Sequence, residues 1–276
     1  MGMRTSKQLY TLLSWIILLL VGAVFLVPIV MMLLGSFKDA GQVLDFDLAL
    51  PHQWHWENYL HVLETGNILR GYGNSLIVTV SSVAITLLTG ACAGIVIARN
   101  RDRGSGMLYY YFIFGLTATM QTVTTFALIK MIGLYGSYLG VIMIFTAINL
   151  PFTVMTFSSF VKGVPREIDE AAVVDGCKPL GTILRIHLPI LKPIMVTNLI
   201  IVAIGVWNNF MVPLYFFNTS KRMTIPLTVY NFFGLYARSW HYVFAAMALT
   251  VLPVILLYLC LQKYIVAGMT SGAVKG

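Results

Sequence analysis

Residues 71–98 read GYGNSLIVTVSSVAITLLTGACAGIVIA, with no Lys, Arg, Asp or Glu among them. A spanning helix needs about 20 apolar residues, so this stretch is long enough to cross a bilayer. It is not alone. Walking from each charged residue to the next gives five more long uncharged windows: 8–37, 104–129, 131–161, 193–220 and 239–262. The shortest of the six holds 24 residues, Ser239–Gln262. Each can hold one helix. Lipid offers the backbone no hydrogen bonds, so a spanning segment must satisfy its own, as a helix does. The runs are continuous and lack the short alternation of a membrane β-strand. Composition agrees: 58% of the 276 residues are hydrophobic and 10% are charged, against about 25% charged in an average soluble domain. The expected fold class is an all-α integral membrane protein. Its six spans are expected near 12–34, 73–97, 107–128, 138–161, 194–216 and 241–262, as a single transmembrane domain over 1–276. The apolar run 12–34 exceeds the 7–15 residues of a cleaved leader's core, so a retained span is predicted.

Six spans put both termini on one side. With the N-terminus inside, the inner face holds twelve of the eighteen basic residues: Arg4, Lys7, Arg99, Arg101, Arg103, Lys162, Arg166, Lys178, Arg185, Lys192, Lys263 and Lys275. The positive-inside rule therefore predicts N-in and C-in. The net charge of +8 then reports topology, and no nucleic-acid partner is expected. Cys92, Cys177 and Cys260 imply no disulfide framework. No metal-ligand set is expected either: His52, His55 and His61 match no strong zinc template.

The segment between spans four and five, 163–192, is expected on the cytoplasmic side. Pro165 suits a first helical position, and Glu167, Asp169 and Glu170 complement the positive end of a helix dipole. Gly176 is read as the left-handed stop. Pro179 can open a second short helix, which Pro189 and Pro193 are expected to end. Ile168, Ala171, Ala172 and Asp175 fall on one predicted face. These residues alone leave two readings open: an elbow that docks into a protein groove, or a helix lying on the membrane surface.

Glu170-Ala171-Ala172, Gly176, Ile186, Leu188 and Pro189 fit the pattern EAA-x3-G-x9-I-x-L-P at every fixed position. That pattern resembles the EAA loop of bacterial ABC-importer permeases, in particular the MalG-like branch for carbohydrates. Ser36-Phe37-Lys38, Glu57-Asn58-Tyr59, Asn74-Ser75, Leu150-Pro151-Phe152, Val164-Pro165, Trp207-Asn208 and the tail 267–276 are similar to that branch as well. The resemblance implies that Pro165, Glu170, Ala171, Ala172, Asp175, Gly176, Leu188 and Pro189 form a coupling elbow seated on an ATPase. It implies these partners: a second, homologous permease, two ATPase subunits that bind ATP and Mg, an extracytoplasmic solute-binding protein, and a sugar or oligosaccharide. The location implied is a bacterial or archaeal cytoplasmic membrane. Asn209 stands where the branch often has an acid, and no proline occurs near Met120-Gln121, where span three often has one.

The chain carries no P-loop, G-x4-G-K-[ST], and no Gly-Lys dipeptide, so no enzymatic or catalytic residue is expected. The apolar windows contain none of the intramembrane acids that an ion-coupled carrier would use, which weakens the alternative of a stand-alone secondary transporter for a neutral solute. Uncharged polar groups do fall in the windows. Gln121, Asn149, Trp207, Asn208 and Asn209 are the candidates for a sugar pathway, where amides and rings suit hydroxyls and sugar faces. Interhelical hydrogen bonding is the competing role for such residues.

Overall fold

The computed structural model describes residues 2–100, 102–233 and 239–273, with side chains described from 11 to 260 within those ranges. The side chains of the tail 267–276, and those of Arg4, Lys7, Arg101, Arg238, Lys263 and Lys275, lie outside that description. The described chain is built mainly from helices, with a long irregular connection over 36–56: α1 Gly2–Gly35, α2 Glu57–Thr65, α3 Ile68–Arg99, α4 Arg103–Thr117, α5 Thr122–Met131, α6 Tyr138–Lys162, α7 Glu167–Val174, α8 Pro179–Ile190, α9 Lys192–Trp207, α10 Met211–Phe216, α11 Ile225–Thr228 and α12 Trp240–Ala273. Four stretches are long and apolar enough to cross a membrane: Thr11–Gly35, Ile68–Arg99, Tyr138–Lys162 and Trp240–Cys260. The pair α8 and α9 reaches that length only if taken together, and the two helices meet at a 75° bend.

Two of the expected spans are not single helices. The window expected as 107–128 breaks after Thr117 and resumes at Thr122. Ala118 and Gln121 are extended there, with ψ of 113° and 103°. The break needs no proline. Hydroxyl and amide side chains offer the backbone alternatives to the helix ladder; Thr124 Oγ1 donates to the Gln121 carbonyl at 3.1 Å. The span expected over 194–216 stops at Trp207 and restarts at Met211. Asn209 Oδ1 accepts the Val212 N–H at 2.9 Å, so this side chain supplies the start of α10.

The chain divides into two compact units, Met1–Leu69 with Thr228–Leu252, and Arg70–Leu227 with Pro253–Gly276. In the first, the two motif fragments Ser36-Phe37-Lys38 and Glu57-Asn58-Tyr59 fold together. Asn58 Nδ2 donates to the carbonyls of Ser36 and Lys38 at 2.9 and 3.0 Å. The Ser36 and Tyr59 hydroxyls lie 2.7 Å apart. Lys38 is almost fully buried, and its ammonium meets Asp47 at 2.5 Å. Burial of an amine demands such a partner, and the Lys38 hydrogen bond holds the Asp47 carboxyl below its usual range.

In the second unit, α3 and α6 approach closely. A Cβ on Gly90 would stand 2.6 Å from Thr153 Cγ2, and one on Gly94 would stand 2.7 Å from Phe157 Cβ. Apolar burial drives little helix association inside lipid, so close backbone packing through small residues does much of that work. Gly90 and Gly94 form a G-x-x-x-G pair suited to it. Asn198, fully buried on α9, accepts from Thr156 Oγ1 of α6 at 3.0 Å. Phe145, Phe157, Val161, Val202 and Val206 fill the space between these helices.

Candidate functional site

The segment 163–192 forms a bent elbow held to the end of α3. Arg99 is the last residue of α3. Its Nε lies 2.7 Å from Asp169 Oδ2, and its Nη1 donates to the Val164 carbonyl at 3.0 Å. The second Asp169 oxygen lies 2.8 Å from Nε2 of His187. One carboxylate on α7 therefore joins the end of a long apolar helix to α8. Asp169 serves this link as well as the helix dipole, and His187 was not singled out in the sequence at all.

Local chemistry explains how these groups meet. Gly176 has φ of +75° and no heavy atom within 4 Å of the position a Cβ would take, so the turn requires glycine for its backbone and not for space. Cys177 N–H closes the helix end onto the Ala172 carbonyl at 2.9 Å. Pro179 then opens α8 at its first turn. Residues 183–187 take up π-helical winding just before Pro189, with Leu188 N–H reaching the Ile183 carbonyl. Proline brings no N–H to continue the α pattern, and the wider turn turns His187 inward. His187 is 3% exposed. Burial lowers its pKa, only partly opposed by Asp169, while the nearby Arg99 charge lowers it further.

Pro165 precedes the helix and does not open it; α7 begins at Glu167, with Arg166 as its cap. Pro189 does not end α8 either, which runs on to Ile190. The expected small-residue face is divided. Ala172 is 3% exposed and Ile168 is half-buried, because the neighbouring Asp169 reaches back to Arg99 and turns that side inward. Glu170, Ala171 and Val174 are exposed, Val174 by 86%. The open side of α7 thus carries two acids, Glu167 and Glu170, one alanine, Ala171, and two bare valines, Val173 and Val174. Asp175 and Gly176 are exposed, and Leu188 is half-buried.

The pathway candidates are scattered and mostly have local partners. Asn149 Nδ2 donates back to the Phe145 carbonyl at 2.8 Å. Asn209, one residue before the cap of α10, accepts the Val212 N–H, and Asn208 follows the last residue of α9. Gln121 is exposed at the α4–α5 break, 3.4 Å from the Thr119 hydroxyl. Trp207 lines an apolar cavity of about 490 Å³ with Leu76, Val80, Leu87, Leu199 and Leu257. Gln121, Asn149, Asn208 and Asn209 do not line that cavity.

Toward the other end of α3, Asn74 and Ser75 hold the segment 219–225. Asn74 Nδ2 donates to the carbonyls of Lys221 and Met223 at 3.0 and 2.7 Å, and Asn74 Oδ1 accepts from the Tyr138 hydroxyl at 2.7 Å. Ser75 Oγ accepts the Ile225 N–H at 2.8 Å. Arg222 Nη1 donates to the Gly136 carbonyl. The motif Asn74-Ser75 was legible in the sequence; the strand of chain it grips was not. Among the described residues no group of three or more His, Cys, Asp or Glu is arranged to hold a metal.

A helical protein with several helices long and apolar enough to cross a membrane, and a braced elbow among them, defines the class. The particular family follows from sequence. Residues 90–271 match the model of the binding-protein-dependent transport system inner membrane component, and the chain belongs to that family. It is 33% identical to the probable ABC transporter permease protein YurM of Bacillus subtilis over 95% of this chain and 88% of that one. It is 32% identical to the multiple sugar-binding transport system permease protein MsmG of Streptococcus mutans, over 99% of this chain and all of the other. A bacterial ABC transporter involved in the import of the acidic polysaccharide alginate has the same fold, with a TM-score of 0.85 at 19% identity over 94% of this chain and 97% of that one.

Proposed function

We propose that this chain is a permease subunit of an ATP-driven, binding-protein-dependent importer for a sugar or oligosaccharide. It forms the pathway with a second permease, takes cargo from an extracytoplasmic binding protein, and leaves ATP and Mg to two partner ATPases. The observation that carries this reading is the elbow. A half-buried carboxylate fixes one side of α7 to the span end, while Glu170, Ala171 and Val174 face outward. A part that must transmit force needs both a stiff root and a free edge.

In this reading the chain crosses a cytoplasmic membrane six times, N-in and C-in. The crossings are α1, α3, the broken pair α4–α5, α6, the broken pair α9–α10, and α12. The basic-residue asymmetry of the sequence supports that orientation. The coupling elbow is residues 163–192, with Pro165, Glu170, Ala171, Ala172, Asp175, Gly176, Leu188 and Pro189. Ala172 supports the helix from within, and Glu170 offers a carboxylate to a basic group on the ATPase. ATPase closure pushes the elbow, Asp169 passes the push to Arg99, and α3 moves with it.

Sugar as cargo draws on the relatives. Besides MsmG, the diacetylchitobiose uptake system permease protein NgcG of Streptomyces coelicolor is 30% identical over 98% of this chain and 91% of that one. The pathway residues proposed are Gln121, Asn149, Trp207, Asn208 and Asn209. Gln121 and the pair Asn208 and Asn209 sit where two apolar helices are interrupted, and irregular backbone at membrane depth is tolerated where it lines a cavity.

The test is uptake of labelled oligosaccharide in cells carrying the whole system. An ATP-driven importer stops with vanadate and continues when a protonophore removes the ion gradient while ATP is maintained. Uptake that collapses with the protonophore and ignores vanadate would show an ion-coupled carrier instead.

A further inference from the structure

A cavity of about 560 Å³ opens where α3, α4 and α6 end near the elbow, lined by Arg99, Asp102, Tyr109, Tyr110, Lys162 and Arg166 among others. Three of these side chains are cationic and one is anionic. The anion is already engaged: Asp102 accepts from Ser105 Oγ at 2.6 Å and from Gly104 N–H at 3.2 Å, capping α4. Arg99 is committed to Asp169, although its Nη2 has no hydrogen-bond partner among the described residues. Lys162 and Arg166 are exposed, and neither has a carboxylate within ion-pair distance among the described residues. Lys162 Nζ sits 4.5 Å above the Tyr109 ring, which holds the ammonium at the cavity wall.

The cavity continues onto an apolar track. Met107, Tyr110, Tyr111 and Phe114 recur at helical spacing along α4 and are 75%, 71%, 69% and 71% exposed. Tyr110 belongs to both the track and the cavity. A free anion would use the cations and leave the track bare. An apolar partner would use the track and leave the cations uncompensated. One amphiphile satisfies both.

We propose that this cavity binds an anionic phospholipid, its phosphate between Lys162 and Arg166 and its acyl chains along Met107, Tyr110 and Phe114. Basic pockets between spans on the cytoplasmic side bind acidic headgroups in this way. The site touches the elbow at both ends, since Arg166 caps α7 and Arg99 braces Asp169. A bound headgroup therefore steadies the root of the elbow. The inference rests on the membrane placement given above, and binding needs neither ATPase nor cargo.

The experiment is native mass spectrometry of the purified full chain, titrated with dioleoyl phosphatidylglycerol, dioleoyl phosphatidylcholine or inorganic phosphate. The wild type retains phosphatidylglycerol in preference to phosphatidylcholine. Each of Lys162→Gln and Arg166→Gln lowers that preference by about fivefold, the factor for one basic side chain at a lipid surface. Arg70→Gln, outside the cavity, leaves it unchanged. Both charges are exposed, so the variants fold, and unchanged phosphatidylcholine adducts check this. Phosphatidylglycerol preference surviving in both variants would overturn the proposal. So would inorganic phosphate displacing the lipid at equal concentration, which would mark a site for soluble anions. Loss of vanadate-sensitive uptake with lipid preference intact would fault the permease reading alone.

Discussion

Near its two ends α3 grips other parts of the chain by different chemistry. Asn74 and Ser75 hold the segment 219–225 with neutral hydrogen bonds, and Tyr138 completes the set. Arg99 holds the elbow through a carboxylate and a buried imidazole. A neutral clamp has one state at ordinary pH. A clamp made from Arg, Asp and His can be loosened by a proton, or strained by a push on α7, without losing its covalent frame. The neutral grip holds the segment 219–225, and the adjustable one holds the elbow expected to meet the motor.

The most damaging single change should be Asp169→Ala. It leaves Arg99 and His187 without the acid they share. Removing one member of a buried ionic set costs about 3–5 kcal/mol, less here because Asp169 is 23% exposed. Transport should fall by about tenfold or more even if the protein still reaches the membrane, which quantitative uptake against expression level checks. Asn74→Ala ranks next. It frees the part-buried carbonyls of Lys221 and Met223, at about 1 kcal/mol for each hydrogen bond lost. That loss should appear as a lower melting midpoint with elbow function unimpaired.

Gly176→Ala should cost about 1–2 kcal/mol through left-handed strain alone, because open space surrounds the added methyl. Gly176→Asn should cost less, since Asn tolerates that backbone. A comparison of the two by stimulated ATP hydrolysis separates backbone strain from crowding.

The smallest effect is titration. His187 has its folded pKa lowered, mainly by burial. The unfolded elbow therefore takes up a proton first, so the stabilisation from neutral His187 is complete above the ordinary histidine value of about 6.5. It is lost as pH falls from there towards the folded pKa. Thermal stability should decline across that acidic range, and His187→Gln should flatten the decline.

Much of this was readable from residues. Uncharged windows gave the apolar helices, because lipid penalises charge wherever it falls along the chain. Gly176 and Pro179 gave the elbow's turn, because both act through their own backbone. The breaks at 118–121 and 208–210 were not legible. They depend on Thr, Gln and Asn side chains competing with the helix, and the same residues often sit unremarked inside helices. The Arg99–Asp169–His187 link was hidden for another reason: its members are far apart in sequence, and Asp169 already had a sufficient local role as a helix-start acid. Gly90 and Gly94 offered a small-residue signal for the α3–α6 contact.

The central claim is that residues 167–176 receive the motor's stroke. The most direct measurement is cargo-stimulated ATP hydrolysis by the assembled complex with its binding protein, comparing wild type with Glu170→Ala and Gly176→Pro. The account predicts that both variants lose the stimulation or shed the ATPase during purification. Variants that assemble and respond as wild type does would contradict it, and would leave the elbow as a helix resting on the membrane surface.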